Sequence, residues 1–305
     1  LRSYWTRAEG YQKFLYFIGA LLLLSAVFHT GVLIVTGGSL EGPISWRKPI
    51  LFGEAFGLTA ISVAWVMTFL PKRQVVGWLL AGALGLANFG EVVWVAMQQW
   101  RGVPSHFNFS TPFDAAAFVA ASYLIRATAA VIAIVTLWTF FSLQAPRSLK
   151  WAIRAGMVLL LVSQLFGLMI VFNGLSKVRD PQTGAFISDG LKSAAIFGAA
   201  GTMKMPHALT LHAIQLLPAL AFVLLFTNRD ESWRTRAVLA ATAGYVGLVA
   251  ISAWQTFSGL AMFDLSLPAG LMLGMSATLV GAAYALALIA LQQTLAQNIT
   301  RRAVA

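Results

Sequence analysis

The sequence predicts an all-α fold: a polytopic membrane bundle of about eight transmembrane helices with both termini in the cytoplasm. Three observations carry this. Of the 305 residues, 59% are hydrophobic and only 10% charged, with a mean hydropathy of +0.78, outside the range of water-soluble domains. Apolar runs long enough to cross ~30 Å of hydrocarbon at ~1.5 Å per residue recur eight times. Lys and Arg gather in alternate connections between those runs.

The first run, 13–36, is too long for the apolar part of a signal peptide and no small-residue cleavage site follows it, so it reads as a retained helix. The second, 50–70, begins behind Pro49, a residue tolerated in a first helical turn. The third, 75–99, places Asn88, Glu91, Val95 and Gln98 at spacings of 3, 4 and 3, one face of a helix. The fourth, 112–143, has a complete start signal: Thr111 as N-cap, Pro112 in the first position and Asp114 as capping-box acid. The fifth, 150–173, follows Arg147. The sixth, 206–227, opens with "PHALTLHAIQLLP", where Pro218 removes the helical donor of the Ile214 carbonyl and marks a place to bend or open. The seventh and eighth are 235–258 and 268–294. No stretch is left over for a soluble part, so 1–305 reads as a single transmembrane domain.

Orientation follows from 13 of the 21 basic residues: Arg2, Arg7 and Lys13; Lys72 and Arg73; Arg147, Lys150 and Arg154; Arg229, Arg234 and Arg236; Arg301 and Arg302. All fall on one side, which the positive-inside rule makes cytoplasmic. The outer loops are then 37–49, 100–111, 174–205 and 259–267. The net charge of +11 is spread over short clusters without a stripe of interleaved aromatics, so the expected surroundings are a lipid bilayer and not nucleic acid. Cysteine is absent, which excludes disulfides, thiolate metal sites, iron–sulfur clusters and cysteine nucleophiles.

Ionisable groups within the runs are the candidates for function, because a charge at bilayer depth is costly unless it meets a partner or water. His29, Glu54 and His212 lie at similar depth below the outer face on three different helices, ~7–10 Å in, and Glu91 lies deeper. A His/carboxylate set of this kind suits iron, zinc or manganese, and His29 with His212 matches the axial pair of a haem. Met203 and Met205 add thioethers that suit copper(I). Gln98, His106, His207 and Gln215 are expected to support those ligands through hydrogen bonds. His207 and His212, 140° apart on a helix, cannot chelate one ion together: His212 is expected to be the buried ligand, shared with Gln215, and His207 to be accessible to water. Arg126, deep in the fourth run, is expected to form a buried ion pair with Glu91. The competing structural reading is that each group is simply satisfied by a neighbouring helix.

The segments "SWRKPILFG", "RGVPSHFN" with "STPFD", and "PHALTLHAIQLLP" resemble, in this order, blocks of an uncharacterised family of bacterial multi-helix integral membrane proteins: W-x-K-P, R-G-x-x-S-H-F-N, T-P-x-D and P-H-x-x-x-x-H-x-x-Q-x-L-P. The resemblance spans about 45–218 and implies that Trp46, Lys48, Ser105, His106, Asn108, Asp114, His207, His212 and Gln215 form one pattern. The Met203–Met205 run lies outside it. The resemblance implies a bacterial cytoplasmic membrane and carries no activity.

Three function classes remain open. One is a membrane metal- or haem-dependent oxidoreductase with its site near the outer face. Another is a proton-coupled transporter using Glu54, Glu91 and Arg126. The third is an accessory subunit of a larger membrane complex, in which oligomer or complex partners are expected. No phosphate-binding loop, nucleophile elbow or HExxH motif favours an established enzyme class.

Overall fold

The computed structural model describes residues 5–6, 8–177, 182–183 and 194–304. Of the expected topology signals, Arg2 and Arg7 lie outside the described residues, as do 178–181 and 184–193 of the long connection 174–205. Among the described residues eight helices are long and apolar enough to cross a membrane. They are α1 (Gly10–Thr36), α2 (Arg47–Val66, extended by a 3₁₀ turn Met67–Phe69), α3 (Gln74–Trp100), α4 (Pro112–Ser142), α5 (Arg147–Lys177), α6 (Lys204–Leu225), α7 (Glu231–Phe257) and α8 (Leu267–Val304). The chain is a polytopic, all-α, multi-pass membrane protein.

The helices start and stop where local chemistry directs. At the start of α1 the Glu9 N–H donates to Gln12 Oε1 (2.8 Å), and the helix ends on Gly37 at φ 65°, whose N–H returns to the Leu33 carbonyl. Asp230 caps α7 by accepting from the Trp233 N–H (2.8 Å). Thr111 caps α4 as expected, accepting from the Asp114 N–H at 3.1 Å. Helix α8 runs ten residues past the expected end at 294, because its polar last turns are held from the α6–α7 connection: Asn228 Nδ2 donates to Gln297 Oε1 and Arg229 to Gln293 Oε1. A short antiparallel hairpin, β1 (Ile196–Phe197) and β2 (Gly201–Thr202), occupies part of a stretch expected to be loop.

Two compact units divide the chain. The first contains Leu1–Trp138 and Leu168–Ala195, the second Thr139–Gly167 and Ile196–Ala305. In the first, α1 packs on α2 and α3, and α2 on α3. Glycines let α1 and α2 approach backbone to backbone: a Cβ on Gly19 would stand 2.9 Å from the Gly57 carbonyl, and one on Gly53 would stand 2.8 Å from the Leu22 carbonyl. In the second unit α7 packs on α6, α8 and the hairpin. Helix α6 continues unbroken through Pro218. Tyr245 of α7 donates to the Leu209 carbonyl (2.7 Å) and Tyr284 of α8 to the Leu216 carbonyl (2.6 Å), so α6 is held from both neighbours on the N-terminal side of the proline.

Candidate functional site

The polar stripe of α3 is the most chemically dense feature of the first unit. Asn88, Glu91 and Gln98 are all buried, at 0%, 4% and 0% exposure, with Val95 between them. Each meets a partner supplied by α4 or by the 101–111 loop. Thr128 of α4 donates to Asn88 Oδ1 (2.9 Å), while Asn88 Nδ2 reaches the Phe56 carbonyl of α2 (3.3 Å). Gln98 Nε2 donates to Asp114 Oδ1 (2.8 Å). Arg101 donates to the same carboxylate oxygen (2.6 Å) and to Gln98 Oε1, and Thr111 Oγ1 donates to Asp114 Oδ2 (2.7 Å). Asp114 is thus both the capping acid read from the sequence and a loop anchor that the sequence did not reveal.

Glu91 is partnered by the loop. Its Oε1 lies 3.4 Å from His106 Nε2, and the other ring nitrogen of His106 lies 2.9 Å from Ser105 Oγ. Phe52, Phe107 and Phe118 surround the imidazole at centroid distances of 5.4, 6.4 and 6.2 Å. Trp94 Nε1 holds the Ser105 carbonyl at 3.0 Å. Phe107 is the only non-glycine with positive φ among the described residues, at 56°. That turn places its ring against Phe118 and Gly174, where a Cβ on the glycine would overlap the ring at 2.3 Å. The second carboxylate oxygen, Glu91 Oε2, is buried with no hydrogen-bond partner among the described residues, and so is Asn108 Nδ2.

The expected Arg126–Glu91 ion pair does not form. Thr128 faces α3, and two residues back along a helix is 200° of rotation, so Arg126 points the other way: it is exposed, with its guanidinium 5.3 Å from the Tyr123 ring centroid. His106, read as a supporting residue, is the partner of Glu91 instead. Glu54 is half-buried on α2 and makes no hydrogen bond or ion pair with a described residue.

The histidines divide between the units. In the first, His29 Nδ1 donates to the Ser25 carbonyl (2.7 Å) and Nε2 accepts from Trp100 Nε1 (3.2 Å), because a carbonyl can only accept and an indole N–H can only donate. Both ring nitrogens are engaged, which leaves no lone pair for a metal or haem iron in this arrangement. Trp46 and Trp100 meet edge to face beside it, 5.1 Å apart. In the second unit His207 and His212 of α6 are both half-buried: His207 Nδ1 donates to the Ser163 carbonyl (2.8 Å), whereas His212 makes no hydrogen bond with a described residue. Gln215 is half-buried one turn further on. Among the described residues no three His, Asp or Glu side chains come together as a metal-binding group.

Ser105 belongs to the motif pattern named above, whereas Thr128, Trp94 and Trp100 carry no charge and no motif that marks them. A faint signal for Thr128 exists, since Asp114, Ala121 and Thr128 recur every seven residues on the face of α4 that meets the α3 stripe. The sequence matches no family model, and neither a curated protein nor a solved structure matches the chain.

Proposed function

We propose that the chain is a proton-coupled membrane protein in which Glu91 and His106 form the proton-exchanging pair. The observation that supports this is a carboxylate buried to 4% exposure whose only partner among the described residues is a titratable imidazole on a loop, 24% exposed at its side chain. An intramembrane carboxylate so placed marks a proton or ion pathway, because a bundle gains little stability from burying it. His106 can carry a proton between the loop end and Glu91 Oε1, while Oε2 remains as an acceptor for a donor delivered with a substrate. The distribution of basic residues supports an outward-facing end, and the motif resemblance supports a bacterial cytoplasmic membrane.

The test is proton flux into proteoliposomes that carry a trapped pH-sensitive dye. The parent protein is expected to dissipate an imposed pH gradient faster than Glu91→Gln, His106→Asn or protein-free vesicles. Equal rates for parent and Glu91→Gln would overturn the reading. A metal-dependent enzyme is the second reading, favoured by the same bare oxygen: Glu91 and His106 then act as two ligands of one ion. Elemental analysis of purified parent and Glu91→Gln protein separates the two.

A further inference from the structure

Arg126 carries an inference that is independent of the proton reading. It is 14 residues past Pro112 and 16 before Ser142, so it lies about 21 and 24 Å from the two ends of α4, farther than an arginine side chain extends. It is exposed, and its guanidinium lies over the face of Tyr123. The residues around it on the same side of α4 are apolar and open: Val119 49%, Tyr123 63%, Ile134 49% and Leu137 60% exposed, with exposed Ala130 between them. Such a surface suits lipid or another helix and is unlike the lining of an aqueous path, yet a permanent cation in hydrocarbon needs a counter-charge.

Among the described residues no carboxylate is placed to give it. Within the eight helices the acidic residues are Glu54, Glu91, Asp114 and Glu231. Asp114 and Glu231 are in first turns. Glu91 is on the buried side with His106, and Glu54 lies ~10 Å from the start of α2, about half the depth of Arg126. A second copy supplies nothing better, since a two-fold axis along the membrane normal brings equal depths together and no carboxylate sits at this one.

We propose that the Val119–Tyr123–Arg126–Ala130–Ile134–Leu137 face of α4 docks a membrane helix of another protein that carries a carboxylate midway along its span. Arg126 forms the charge-assisted contact, Tyr123 orients the guanidinium, and the flanking apolar side chains supply the packing surface.

The test uses leucine-rich synthetic membrane-spanning peptides with a central Glu or a central Gln, co-reconstituted with the full chain. Because the chain has no cysteine, Gln144→Cys offers one dye position at the end of α4, and energy transfer to a labelled peptide reads association. The Glu peptide is expected to bind the parent roughly three- to tenfold more tightly than the Gln peptide. Arg126→Leu, which leaves an apolar face apolar and should fold normally, is expected to abolish that preference, and Arg126→Lys to retain part of it. Equal binding of both peptides by the parent, or an undiminished preference in Arg126→Leu, would overturn the proposal. So would a dimer of the chain alone, seen by single-molecule photobleaching, that Arg126→Leu dissolves, since a second copy would then cover the face.

Discussion

Glu91 and Asp114 are two carboxylates of nearly equal burial with opposite degrees of satisfaction. Asp114 receives Gln98, Arg101 and Thr111, whereas Glu91 has one imidazole and a bare oxygen. Removing the satisfied one should therefore harm the fold more. Asp114→Ala is expected to lower unfolding stability in detergent by about 2–3 kcal/mol, because it strands the buried Gln98 amide and a half-exposed Arg101. Glu91→Gln should change it by less than about 1 kcal/mol, because the amide keeps the shape and removes a buried charge. Thermal unfolding of both variants beside the parent decides the order. The α3 stripe was legible in the sequence because polar residues at spacings of 3 and 4 in an apolar run have one explanation. His106 was legible only as a supporting residue and its pairing with Glu91 was not: it comes from the 101–111 loop, and no periodicity encodes a loop's path.

At the scale of elements, helix positions were readable to within a few residues, apart from the ten-residue extension of α8, and their pairing was not. Apolar length signals a span, but Gly19, Gly53 and Gly57 reveal close α1–α2 contact only once their opposing carbonyls are known. Gly57→Val is expected to force those helices apart and lower stability by about 1–3 kcal/mol, measured by thermal unfolding, with Gly270→Val as a control at a site with open space. The start of α1 adds a pH dependence. Hydrogen bonds from Lys72 and Gln74 hold the Glu9 carboxylate below its ordinary value of 4.5. A carboxylate with a depressed folded-state pKa contributes at neutral pH and loses that contribution as pH falls through the depressed value. The stability gap between the parent and Glu9→Gln should accordingly be present at pH 7 and close on acidification below about pH 4.

At the scale of the whole molecule, hydropathy and charge are sufficient to read the number of spans, since the medium imposes both. Side-to-side orientation rests on the basic residues and has a direct test that exploits the cysteine-free sequence. In intact cells a membrane-impermeant thiol reagent is expected to label Ser39→Cys and Ser266→Cys, and to reach Arg73→Cys and Gln144→Cys only after lysis. The reverse pattern would turn the Glu91–His106 end inward and change the compartment from which its proton is drawn.

Asp114 binds Arg101 at the beginning of the 101–111 loop and Thr111 at its end, so one carboxylate fastens both feet of the segment. Closing such a ring removes most of the loop's independent motions, and its amides have no way to open piecemeal from either foot. Their hydrogen exchange should then follow a single cooperative event with one common rate and one common denaturant dependence. Arg101→Ala is expected to split that behaviour into a fast-exchanging first half and a slower second half, while Asp114→Ala accelerates the whole segment together. The rate at which the buried Asn108 of this loop meets bulk water is then a lifetime set at Asp114.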